Sequence, residues 1–190
     1  MRTHGVFYTD VMGDGFMRAI ALLSCGALAF SQQTPPRPEQ QAYQQQMREV
    51  GAKRDTLRAQ AKQAFDAEMS RQRAGDCPTA NTTYDSNLCF GREVGITDRN
   101  LKTYGTAIRD LLGLQNPASN GLSATPAPAV AEFDHLEQLW QSYSGVASTA
   151  AFHQFSGGTG GPGFEMRCHL LLARSHLLEL DTIYGMLLEF

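Results

Sequence analysis

No apolar run in the 190-residue chain reaches the ~20 residues that a membrane-spanning helix needs. Charge is scarce as well. Only 18% of residues are Asp, Glu, Lys or Arg, and the formal net charge is -3, which argues against nonspecific nucleic-acid binding as the main task. No segment sustains the period-two alternation of a half-buried strand, so no sheet is expected. The glycine run at 157–163 lacks the Gly-Lys-Ser/Thr ending of a phosphate loop, which removes that form of nucleotide binding.

Catalytic constellations are missing too. Cys168 and His169 are neighbours, but adjacent helical residues point ~100° apart, so they read as a core cysteine beside a surface histidine. Glu165, His169 and His176 fall on related turns of one helix. The two histidines are seven residues apart, ~10 Å along the axis, too far for one ion, and the group reads as a solvated face. The expectation is a protein with no catalytic residues, no cofactor and no bound metal.

What is present is a globular composition, with 42% hydrophobic residues, and an uneven distribution of charge. Residues 32–76 carry eight Lys/Arg against six Asp/Glu, a balance of +2, whereas 77–190 carry six against eleven, a balance of -5. An acidic domain of this kind favours basic partners through long-range steering.

The N-terminal stretch reads as an address. Residues 18–31 place one arginine ahead of a mostly apolar run, then the small residues Ala29 and Ser31, then a polar, Gln-rich segment. That is the layout of a secretory signal peptide, here 1–31, with Met17 as a possible start and a cut near Ser31. A rival reading takes Leu22-Leu23-Ser24-Cys25 as a lipoprotein box and makes Cys25 a lipidated N-terminus; a third makes the stretch a buried helix. On the first reading the protein is exported, to the periplasm or the medium.

Residues 32–38 hold three prolines and read as an extended linker, with Pro38 placed to open a helix. From 39 to 74 the composition is that of a long amphipathic helix. Tyr43, Met47, Val50, Leu57, Ala61 and Ala64, with Phe65 and Met69 alongside, make one apolar stripe on a charged rod. It reads as a surface helix laid on the main domain, with self-association through 39–72 as an alternative.

The domain proper spans 77–190. A helix is expected to begin near Thr97, capped by its hydroxyl, with Leu101, Tyr104, Ile108 and Leu111 inward and an end near Gly113. After a long loop over 115–128, a second is expected over 130–155, with Phe133, Leu136, Trp140, Tyr143 and Val146 or Ala147 inward. A third is expected over 163–188, with Phe164, Cys168, Leu171, Leu172, Leu178, Ile183 and Leu187 as its apolar positions. The Gly-rich run between the last two is a corner that only glycine backbones turn easily. The fold class is therefore all-α: a small antiparallel helical bundle preceded by a long amphipathic helix. Beyond Cys25 there are three cysteines, Cys77, Cys89 and Cys168, which allow three single bonds and leave one thiol over. If Cys77 pairs with Cys89, the chain between them must loop back, because straight helix would hold the sulfurs ~18 Å apart.

The order Cys77…Asn87-Leu88-Cys89, Asp98…Leu101…Tyr104, Trp140-Gln141-Ser142-Tyr143, Gly157-Gly158-Thr159, then Cys168 and Arg174, resembles the LprI-type lysozyme-inhibitor domain. That family is a small exported all-helical module of bacteria with paired cysteines, and the resemblance covers about 77–190. It implies a Cys77–Cys89 disulfide and structural roles for Trp140, Tyr143, Cys168 and Arg174. The family's Arg-Asp after the tyrosine is replaced by Ser144-Gly145, and Ser148 stands near its next cysteine, which leaves Cys168 single. The resemblance also implies a non-enzymatic binding protein whose partner is a lysozyme or another basic protein. An inhibitor of that type needs exposed loops and acidic groups, and Asp85, Glu132, Asp134, Gly157, Gly158 and Thr159 are the candidates.

Overall fold

The structure, a computed structural model, describes residues 37–115, 128–155 and 158–189. The leader, the lipidation motif at Cys25, the linker up to residue 36, nearly all of the 115–128 loop and Gly157 lie outside the described residues. Residues Arg37–Phe190 form one compact unit. Its helices are α1 (Pro38–Ala74), α2 (Thr83–Gln115), α3 (Pro128–His153), α4 (Gly161–Tyr184) and the single turn α5 (Met186–Glu189). There is no strand among the described residues, and the architecture is the all-α bundle that the periodicity predicts.

The long helix starts where proline allows it. Pro38 fills the first turn, and the Gln40 side chain reaches back to accept the Arg37 N–H at 3.2 Å. It stops at Gly75, whose φ of 82° is open to glycine and strained for other residues. Only the second half of α1 is buried, through Leu57, Ala61 and Ala64; Tyr43 and Met47, expected in the same stripe, are exposed. Among the described residues nothing buries them.

Packing places α2 and α4 at the centre: α1 lies mainly on α2, and α3 mainly on α4. The shared core joins Leu57, Ala61 and Ala64 to Tyr104, Ile108 and Leu111 of α2, Phe133 of α3, and Ala173, Leu177 and Leu180 of α4. A fully buried leucine such as Leu177 contributes about 2 kcal/mol from lost apolar hydration.

One helix start and two inward faces differ from expectation. Thr97 does not begin a helix; α2 starts fourteen residues earlier, at Thr83, and runs through Cys89 and Thr97 without a break. Mid-helix, no cap is needed because the backbone N–H groups already have partners a turn back, and the Thr97 hydroxyl instead donates to buried Glu68. In α3, Tyr143 and Val146 are 61% and 73% exposed, while Ser144, Ser148 and Ala151 face inward. Small side chains there let α4 approach closely, and the larger residues one turn-face away are left outside. In α4 the buried positions are Leu170, Ala173, Arg174, His176, Leu177 and Leu180, whereas Phe164, Leu171, Leu178 and Ile183 are exposed. The helix also ends at Tyr184 rather than at 188, with Gly185 separating it from α5.

α3 and α4 meet at the glycine-rich corner as expected, but its described glycines, Gly158, Gly160, Gly161 and Gly163, keep negative or extended backbone angles, so close packing rather than a left-handed turn is what favours glycine there. The Gly158 N–H donates to Phe155 O at 2.8 Å, and Gly161 sits so close to Phe152 that an added Cβ would lie 3.1 Å from its ring.

Candidate functional site

Among the described residues the most heavily hydrogen-bonded side chain is a buried carboxylate that joins three helices. Glu68 of α1 is fully buried, and four donors converge on it. Thr97 Oγ1 and Arg174 Nε donate to Oε1 at 2.7 and 2.8 Å; Asn100 Nδ2 and an Arg71 guanidinium nitrogen donate to Oε2 at 2.8 and 2.9 Å. Arg174 also grips Asp76 with its two terminal nitrogens at 2.7 and 2.8 Å, and Arg71 bonds Glu93. Burial pushes the Glu68 carboxyl up, but the bonds from Thr97, Arg174 and Asn100 and the Arg71 charge hold it below the ordinary carboxylate range. Burial also disfavours the Arg174 cation, but Asp76 and Glu68 outweigh it and raise its affinity for the proton. The knot ties α1, α2 and α4 together and leaves no lone pair of Glu68 facing solvent chemistry.

Next to this knot the Cys77–Cys89 disulfide is formed, with Cα atoms 5.8 Å apart. The chain does loop back between them, and Cys77 takes a left-handed φ of 52° to begin that return. Asp76, the partner of Arg174, precedes Cys77 directly, so the cross-link and the ion network fix the same turn.

A groove of about 670 Å³ opens where α2 and α3 diverge. Leu101, Gly105 and Phe133 line its apolar base, with Trp140 beside His169 of α4. Its rims carry charge: Asp98, Lys102 and Arg109 from α2, and Asp134 and Glu137 from α3. Arg109 spans the gap in a bidentate pair to Asp134, at 2.6 and 2.9 Å. His169 Nε2 lies 2.8 Å from Asp98 Oδ1. That hydrogen bond, opposed by burial and helped by the charges of Asp98 and Glu165, raises the His169 pKa above the ordinary histidine value.

Trp140 is shared between this groove and the α3–α4 face. His176 stacks flat on it, with ring centroids 4.5 Å apart and planes 7° from parallel, and His169 lies tilted at 6.5 Å. His176 is buried, with Nε2 at 2.8 Å from Glu137 Oε1. The expectation of a solvated face for His169 and His176 is therefore wrong: each ring has a carboxylate on one side and the single tryptophan on another. Among the described residues no three His, Cys, Asp or Glu side chains gather as metal ligands, and no helix is long and apolar enough to cross a membrane. Ser144 also lines the groove, but its hydroxyl donates to Gln141 O at 3.2 Å and makes no bond to His169.

The candidate partner-binding residues fall into separate places. Asp85 accepts from Thr82 Oγ1 at 2.7 Å and helps to open α2. Gly158 and Thr159 are exposed at the α3–α4 corner, where Thr159 O accepts from Asn87 Nδ2 at 3.4 Å, close to that same end of α2. Glu132 and Asp134 stand near the start of α3, about 30 Å along its axis from the corner. Only Asp134 belongs to the groove. Cys168 is a half-buried free thiol whose Sγ lies 3.8 Å from Ala147 O, one residue from Ser148. Arg174 is buried, Trp140 is half-buried between the two grooves, and Tyr143 projects outward.

The groove's rim residues, of which Lys102 and Glu137 were not singled out from the sequence, carry a signal of their own. Asp98 and Lys102 stand four apart on α2, and Asp134, Glu137 and Gln141 recur at three and four on α3, so each helix shows a polar stripe next to its apolar one. Comparison with models of protein families, with curated proteins and with solved structures finds no match.

Proposed function

We propose that the protein is an exported, non-enzymatic binding protein of the lysozyme-inhibitor type, and that the groove between α2 and α3 receives basic side chains of another protein. The observation that carries this reading is the groove's rim, where Asp98, Asp134 and Glu137, paired in the free protein with His169, Arg109 and His176, stand beside an aromatic base on a domain whose sequence balance is -5. A lysine or arginine entering there meets carboxylates at the edge and the indole of Trp140 beneath, a setting suited to charge pairing and cation–π contact. The order of motifs shared with the LprI-type domain supports the same reading, and the signal-like stretch 18–31 with the Cys77–Cys89 bond supports export. Lys102 and Arg109 on the facing rim would orient the incoming chain by repelling misplaced cations.

The test is titration of the purified protein against basic lysozymes at low and at physiological salt, with enzyme inhibition and binding both recorded. The expected result is salt-sensitive binding that weakens at least about tenfold on Asp134→Lys. Absence of binding at low salt removes the proposal.

A second reading is favoured by one observation, the exposure of Tyr43 and Met47 on a helix that projects from the bundle. On that reading the protein is an envelope-associated structural component that self-associates through α1.

A further inference from the structure

The first half of α1 leaves the bundle: residues 37–49 are all exposed, and its burial begins only at Leu57. Tyr43 and Met47 are 64% and 52% exposed and, with Val50, stand at i, i+4 and i+7 on one face. Because α1 is one unbroken helix whose second half packs on α2, its first half projects beyond the other described helices.

A matching surface lies between α3 and α4. Leu139 and Tyr143 wall a groove of about 420 Å³ on one side, Leu172 and Glu179 wall it on the other, and Trp140 and His176 form its base. Leu139 is 59% exposed, and with Tyr143 and Val146 it repeats the same i, i+4, i+7 spacing. Each triplet covers about 10 Å of helix axis, so the two can mesh along their length.

We propose that the projecting half of α1 docks in the α3–α4 groove of a second copy of this chain. The inference rests on the self-association reading and adds the surface that receives the helix. Charge selects this occupant. Residues 37–54 carry four basic and two acidic side chains, a balance of +2, while 128–189 carry two basic and seven acidic, a balance of -5. An amphipathic helix with a basic flank, Arg48 beside Met47, therefore meets a largely apolar groove with the Glu179 carboxylate on one wall. The joined surfaces are different, so every copy both gives a helix and offers a groove.

The full chain, Met47→Glu and Leu139→Glu are compared by sedimentation velocity, and the two variants are then mixed. Both positions are exposed, and circular dichroism verifies that each variant folds. The wild type is expected to associate at about 100 µM and below, each variant to associate at least about tenfold more weakly, and added salt to weaken the wild type. The mixture is expected to recover a 1:1 pair, because the Met47→Glu copy keeps its groove and the Leu139→Glu copy keeps its helix. If Met47→Glu dissociates the assembly but Leu139→Glu does not, the receiving groove is overturned and self-association through α1 stands. A wild type that stays monomeric at about 100 µM overturns both.

Discussion

Arg174 Nε donates to Glu68 Oε1 at 2.8 Å across 106 residues of chain, and both side chains are withdrawn from solvent. Buried ion pairs contribute little net stability when complete, because desolvation offsets the attraction, but breaking one is costly. Glu68→Ala would strand Arg174 and Arg71 with one carboxylate each and leave Thr97 and Asn100 without their acceptor. The expected loss is about 3–5 kcal/mol of unfolding free energy, read as a lower denaturant midpoint at unchanged slope. Glu68→Gln keeps the shape and an acceptor oxygen and should lose less. A Glu68→Ala variant within about 0.5 kcal/mol of wild type would show that the network is not formed in solution.

The same carboxyl predicts an acid limit. Its folded pKa lies below the ordinary value of 4.5, so between the two values the unfolded chain binds the proton and the folded chain does not. The stabilisation is complete above the unfolded value and is lost as pH falls through the folded one. Urea midpoints measured from pH 6 to about pH 3 should fall, and the fall should be shallower in Glu68→Gln, which has no proton to take up. Equal slopes in the two proteins would place the acid sensitivity elsewhere.

Reduction of Cys77–Cys89, or Cys77→Ser with Cys89→Ser, frees a twelve-residue separation in the unfolded chain. The expected cost is about 2–3 kcal/mol. Because Asp76 adjoins the cross-link, the doubly substituted protein should also lose part of the Arg174 coupling, and a cycle combining it with Arg174→Lys should be non-additive. Strict additivity would separate the disulfide from the knot.

These features explain how far the sequence could be read. The class of fold was legible because Leu101, Tyr104, Ile108 and Leu111 recur at helical spacing, and because Pro38 and the glycine corner punctuate the chain. The inward faces of α3 and α4 were not, because each helix carries two interleaved apolar stripes. The one that packs, through Ser144, Ser148 and Ala173, is chosen by closeness of approach rather than by hydrophobicity. The tertiary partners of Glu68, Arg174 and His176 were hidden for a different reason. A charged residue in a helix gives no local sign that its partner lies 106 residues away. Thr97 shows the same limit, since its hydroxyl fits a cap in isolation and a buried carboxylate in the fold.

His169 and Trp140 give the groove a built-in reporter. The chain has one tryptophan, so indole fluorescence reads this place alone. The hydrogen bond to Asp98 raises the His169 pKa, so the folded chain keeps a proton that the unfolded chain releases. That contribution to stability is complete below the ordinary histidine value of 6.5 and is lost as pH rises through the higher folded value. Asp98→Asn removes the charge and should bring the His169 titration, followed by NMR, back down toward 6.5. A basic protein that seats a cation against the indole should shift Trp140 emission and should do so less in Asp134→Lys. A partner that binds with full affinity yet leaves both the emission and the His169 titration unmoved would be using another face of the molecule.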